Sequence, residues 1–200
     1  MLAGPVLVPD TLTMSAPLSL ANHFLIAMPS LQDPNFARTV TLICEHNEQG
    51  AMGIVINRPT DLIVRDVVKQ LEIEESSAPA LNLAVHVGGP VQANRGFVIH
   101  EPLGKWDSTL AVSETLGVST SRDIIVALAE ARGPQHFLLA LGYAGWEAGQ
   151  LEKEMAENAW LSTPADMAIV FALPPDERWD AAARLVGVDI ANLSPDAGHA

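Results

Sequence analysis

The chain has 200 residues, 48% of them hydrophobic, and carries a formal net charge of −13 from 24 acidic residues against 11 Lys and Arg. That length suits one domain that buries roughly 70% of the surface its unfolded chain exposes, a core needing neither metal nor cross-link, and a single cysteine, Cys44, excludes an intrachain disulfide. The charge repels DNA, RNA and anionic lipid, and no two basic residues are adjacent, so direct nucleic-acid binding and a membrane partner are both disfavoured.

Residues 1–17 contain Pro5, Pro9, Asp10 and Pro17 but no Lys or Arg. A secretory signal needs a charged start and an unbroken apolar run, so residues 1–19 are expected to form a flexible leader and the protein to work in the cytoplasm. No window reaches the 18 or more apolar residues of a spanning helix. Residues 23–29 read as a strand closed by Pro29, and Asp33-Pro34-Asn35 as a turn. Residues 36–46, rich in Val, Ile and Thr, form a second strand. Residues 47–50 close a hairpin onto a third at 52–57, with Gly50 able to take a positive φ. This opening is antiparallel.

Thr60 or Asp61 can cap a helix whose apolar stripe is Ile63, Val64, Val67, Val68 and Leu71. An acidic loop (72–80) leads to a strand at 83–87 that ends in Gly88-Gly89-Pro90, and further strands follow at 96–101 and 110–113. Ser119, Thr120 and Ser121 offer caps for a helix with Ile124, Ile125, Leu128 and Ala131 on its buried face, stopped by Gly133-Pro134. Residues 136–143 are almost continuously apolar, as in a central strand covered on both faces. A glycine-rich turn then opens a helix over 146–158. A strand at 167–173 and a helix begun by Pro174-Pro175 complete the chain. Strands outnumber helices and open as hairpins, which predicts one α+β domain over residues 20–193. Its sheet is mixed, with antiparallel N-terminal hairpins and about four flanking helices, and residues 194–200 form a flexible tail.

Three segments set glycine or proline against apolar runs: 50–60, 87–91 and 142–154. In the first, Pro59 holds Arg58 extended, and a guanidinium so directed suits a carboxylate or phosphate; an internal salt bridge is the competing use. In the second, Gly88-Gly89-Pro90 permits a tight turn, with Gln92, Asn94 and Arg95 able to line the same end of the sheet. In the third, Gly142, Gly145 and Gly149 match neither a dinucleotide fingerprint nor a Walker loop. Glu147 would repel a phosphate there, so close packing anchored by Trp146 and Leu151 is the better reading, with Gln150, Glu154 and Asn158 as a polar stripe. His100 and Glu101 are adjacent and point to opposite faces of a strand. Cys44 and His46, two apart, share a face, with Cys44 expected in the core. Six scattered histidines with no HxxxH or CxxC spacing give no support to a metal site, no cofactor is expected, and no hydrolase GxSxG is present.

Taken together, Phe24-Leu-Ile-Ala-Met-Pro29, Gly53-Ile-Val-Ile-Asn-Arg-Pro59, Gly88-Gly-Pro90, Gly142-Tyr-Ala-Gly-Trp146, Gln150-Leu151 with Glu154, Asn158-Ala-Trp160 and Arg184-Leu-Val-Gly-Val-Asp-Ile-Ala-Asn-Leu193 resemble the YqgE/AlgH family of bacterial proteins over most of the chain. The resemblance implies a single α+β domain with a curved mixed sheet. It also brings the family's usual label of transcriptional regulator, without catalytic residues to carry over. With no helix-turn-helix pattern and no basic stripe, a regulator here is expected to bind a small anionic ligand or a protein partner. The expected site is Asn57, Arg58, Pro59, Gly88, Gly89, Pro90, Gly145 and Trp146. The alternative is an enzyme using His100, Glu101 or Glu154 at the same end of the sheet.

Overall fold

In a computed structural model described over residues 19–74 and 76–187, β1 (His23–Ala27), β2 (Val40–Asn47) and β3 (Gly50–Val55) pair antiparallel in sequence. Residues 1–18 and 188–200 hold nearly all of the expected leader, the expected tail and the end of the closing motif, and they lie outside the described residues. Strand alternation sorts the side chains: Phe24 and Ile26 enter one apolar cluster, Leu25 and Ala27 another on the opposite face.

The hub is β9 (His136–Glu147), a strand of 12 residues. It pairs antiparallel with β3 and with β6 (Val91–Glu101), and parallel with β5 (Ala84–Val87), the pairing that makes the sheet mixed. β10 (Trp160–Pro164) flanks β1; β8 (Gly117–Ser119) and β7 (Thr109–Ala111) continue from β6; β4 (Pro59–Ile63) lies on β5. The result is one curled sheet.

One face carries Phe24, Ile26, Leu42, Ile54, Ile99 and Leu138 beneath α4 (Met167–Phe171) and α5 (Arg178–Leu185). On the other, α1 (Val64–Gln70) and α2 (Arg122–Ala129) cover Val85, Val98 and Leu139, while α3 (Gln150–Ala156) covers Leu25, Ile43, Trp146 and Trp160. With the short 3-10 turn Pro79–Asn82 these are the helices of the described residues. None is long and apolar enough to cross a membrane.

Several elements differ from the sequence expectation. Residues 142–147 are not a turn but the second half of β9; the turn comes at Gly149 (φ +76), and α3 starts at Gln150. Gly142 (φ +74) is glycine because a Cβ there would sit 2.4 Å from the Gly89 carbonyl oxygen. In place of the strand expected over 167–173, Met167–Phe171 form α4, since the Asp166 carboxylate accepts from the Ala168 N–H (2.8 Å) and caps a run whose apolar character suits either element. The helix expected from Thr60 begins at Val64. Thr60 Oγ1 instead donates to the Val85 carbonyl (2.8 Å), holding β4 to β5, and Asp66 accepts from the Ile63 N–H (2.9 Å).

Candidate functional site

Asn57 and Arg58 leave the end of β3 and turn onto the 33–38 turn. Asn57 Oδ1 accepts from the Val40 N–H (2.8 Å) and its Nδ2 donates to the Arg38 carbonyl (2.9 Å). Arg58 Nη1 and Nη2 donate to the carbonyls of Pro34 (2.7 Å) and Ala37 (3.0 Å). Desolvation lowers the Arg58 pKa, with Asp33 opposing. Both side chains are struts, and a ligand at Arg58 competes with two carbonyls. Gly88 bridges strands, accepting from Val55 N–H (2.8 Å) and donating to the Leu141 carbonyl (2.7 Å), and a Cβ on Gly89 would lie 2.2 Å from the Tyr143 carbonyl carbon. Gly88-Gly89-Pro90 is therefore a close crossing over β9. Gly145 and Trp146 pair with Met52 and Ala51 of β3 and line a shallow cleft with Glu45, Asn47 and Tyr143. None of Asn57, Arg58, Gly88, Gly89 or Pro90 lines that cleft.

The expected acid–base groups are engaged internally. His100 is fully buried; its Nδ1–H donates to the Pro102 carbonyl (3.0 Å), so Nε2 accepts from Ser119 Oγ (2.8 Å), and desolvation lowers its pKa. Glu101 lies opposite His136 across β6 and β9. Glu154 Oε2 accepts from both Trp146 Nε1 and Trp160 Nε1 (2.9 Å each), and its Oε1 accepts from Gln150 Nε2 (2.8 Å). The shared face expected for Cys44 and His46 is overturned by a bulge between Ile43 and Glu45. It sends Cys44 into the cluster beneath α4 and α5, where burial pushes its thiol pKa up to about 12. His46 instead meets α3, donating to Glu152 (2.9 Å) and accepting from the Leu20 N–H (3.0 Å).

The groove best suited to a ligand lies elsewhere. Between Val91↔Tyr143 and Gly96↔Leu141, the four residues Gln92 to Arg95 oppose the single Gly142, so β6 bulges away from β9. The bulge carries Asn94 and Arg95 to the rim of a cavity of about 530 Å³ between α1, α2 and β9. Val67, Val98, Ile125, Leu139 and Leu141 line it, and Leu62 and Leu71, 44% and 37% exposed, flank it. Arg95 donates to Thr120 Oγ1 (3.1 Å) and Gln92 Oε1 (3.3 Å); Arg122, at the start of α2, donates to the Leu71 carbonyl (2.9 Å). Among the described residues neither arginine has a carboxylate within ion-pair distance. Ser119 also lines the groove, but its hydroxyl serves His100 and Thr109. Two permanent cations over an apolar floor favour an anion that carries an apolar body. The sequence suggests Arg95 for the sheet end of Gly88-Gly89-Pro90, none of which lines this groove, and Arg122 not at all, because its neighbour Leu71 follows a distant helix.

Comparison with known proteins agrees with the fold. The profile of a family described as AlgH-like (DUF179) matches residues 24–191. A UPF0301 protein of Thioalkalivibrio sulfidiphilus is 60% identical over 187 residues, 94% of this chain and 100% of that one. A UPF0301 protein of Methylococcus capsulatus is 57% identical over 180 residues, 90% and 96% of the two chains. The solution structure of the AlgH protein from Pseudomonas aeruginosa superposes with a TM-score of 0.75 at 53% identity, covering 93% of this chain and 98% of that one. A crystal structure from Corynebacterium diphtheriae shares the fold at a TM-score of 0.67 and 22% identity, covering 86% and 89% of the two chains.

Proposed function

The chain belongs to the AlgH-like family, and from that premise we propose that it is a cytoplasmic regulator acting by binding a small amphipathic anion, not by touching DNA. One observation carries this reading: in a chain of net charge −13, Arg95 and Arg122 have no carboxylate partner among the described residues and stand beside the apolar groove. The head group belongs at these two arginines rather than at Arg58, whose nitrogens already serve Pro34 and Ala37. The apolar body lies along Ile125, Leu139 and Leu141. With no helix-turn-helix among the described residues, the signal passes to a protein partner.

The test is calorimetric titration with decanoate and decyl phosphate, using decanol and decylamine as neutral and cationic controls. Expected is saturable binding of the anions alone. Arg95→Ala combined with Arg122→Ala should weaken it by at least ~2 kcal/mol, the scale of losing charge-assisted hydrogen bonds. Equal affinity for decanol, or full affinity in the double variant, would sink the reading.

A further inference from the structure

On the far side of the Asn57-Arg58-Pro59 turn lies a cavity of about 180 Å³ that the sequence does not announce, lined by Phe137, Val170, Phe171, Pro175, His86 and Arg178 among others. His86 stands opposite Pro59 in the pairing of β4 with β5 and is only 5% exposed. Neither ring nitrogen makes a hydrogen bond of normal geometry or touches solvent, and only the backbone of Ala84 and Leu139 comes near enough to favour the protonated ring. Arg178, the first residue of α5, is 6% exposed. Its Nε donates to the Leu173 carbonyl (3.0 Å) and its Nη1 to the Ile56 carbonyl. Among the described residues no carboxylate lies within ion-pair distance of the guanidinium and Nη2 has no hydrogen-bond partner.

A buried charge without a counter-charge and a buried imidazole with no well-formed hydrogen bond are each costly. Here the two costs fall on one cavity, and one small anion would relieve both. We propose that this cavity is a binding site for a small monocarboxylate, with one carboxylate oxygen on the free Arg178 Nη2 and the other on a His86 ring N–H. Counting donors favours a carboxylate over a phosphate. Two donors satisfy two oxygens, whereas a phosphate would leave the rest facing Phe137, Val170 and Phe171. The volume, about six waters' worth at roughly 30 Å³ each, holds a carboxylate with a short hydrocarbon body, and the apolar walls suit that body. Burial and then the Arg178 charge depress the His86 pKa to about 4, against the backbone of Ala84 and Leu139. A carboxylate there supplies the missing counter-charge and moves the pKa back upward. This site is separate from the Arg95–Arg122 groove and does not depend on it.

The experiment follows the His86 ring by long-range proton–nitrogen NMR while the whole protein is titrated with butyrate, butyramide or inorganic phosphate. Expected are saturable shifts of the His86 nitrogens with butyrate only, and a His86 pKa raised by about one unit or more at saturation. His86→Phe, which keeps a ring in the cavity and removes the donor, should weaken butyrate about tenfold; Arg95→Ala with Arg122→Ala should leave it unchanged. Because the principal reading is spectroscopic and made on the unaltered chain, it stands even where an Arg178 variant fails to fold. No response of His86 to butyrate overturns the proposal. So do an equal response to butyramide, saturation by phosphate alone, or loss of butyrate binding in the groove variant.

Discussion

At the scale of single residues, the side chains that hold this fold are polar groups whose partners lie on other elements. Glu154 is the clearest case, since one carboxylate oxygen takes the indole N–H groups of both Trp146 and Trp160. Glu154→Leu strands two indole donors in an apolar cluster, at about 1–3 kcal/mol for each. We expect a loss of ~2–5 kcal/mol in urea unfolding, and a clearly smaller one for Glu154→Gln, which retains a carbonyl oxygen. Equal losses in the two variants would show that shape, not hydrogen bonding, sets the cost. His86 gives a pH dependence of known sign. Its folded pKa, about 4, lies below the ordinary 6.5 because of burial and the Arg178 charge. The unfolded chain therefore takes up a proton first as pH falls, and stability drops across the window from 6.5 towards 4. The full drop is at most about 3 kcal/mol. Stability measured across this window should fall in the unaltered protein and fall less in His86→Phe; an unchanged slope would refute the assignment. Neither residue's role was legible in the sequence. Glu154 sits in a stripe that reads equally as a solvated face, and His86 is one polar residue inside Ala84-Val-His-Val87, which carries no sign of what packs above it.

Among the elements, the strands at β1, β2, β3 and β5, the first half of β9 and the helix α2 were readable because their pattern is local: alternating or continuous apolar runs between clear turn residues, or a capped stripe. What failed was decided by crossing chains. Gly142 and Gly145 look like a turn in isolation, yet they belong to β9, and the smallness of Gly142 serves the approach of Gly89 from another element. The difference is measurable. Ala at Gly89 or Gly142 meets backbone within 2.2–2.4 Å at φ +154 or +74, whereas Ala at Gly149 has φ +76 and no atom within 4 Å. Gly149→Ala should thus cost only the left-handed strain, about 1–2 kcal/mol. Gly89→Ala and Gly142→Ala must also displace backbone and should cost several kcal/mol in denaturant unfolding. Comparable costs at all three would mean that the crossing is loose. The same logic explains α4: five apolar residues fit strand or helix, and the Asp166 cap settles the matter.

For the whole molecule, the regulatory role that the sequence resemblance implies and the distribution of charge pull apart, and the structure sharpens the conflict. Of the 11 basic residues, Arg178 is buried, Arg58 braces the 33–38 turn, and Arg38 stacks over Trp179 at 4.3 Å. What remains is spread among 24 acids. Duplex DNA demands several phosphates neutralised together, and each contributes about −0.9 to the slope of log affinity against log salt. With Arg95 and Arg122 the pair gathered at the groove, a slope near −2 is the steepest that this cluster can sustain. Fluorescence anisotropy with random duplex DNA should accordingly show no binding at physiological salt and a shallow slope below it. A steep slope, near −6, would require a basic surface that the described residues do not form, and would return direct DNA contact to the front. A shallow response is what the proposed reading requires, in which the apolar groove takes an anion and no nucleic acid is bound.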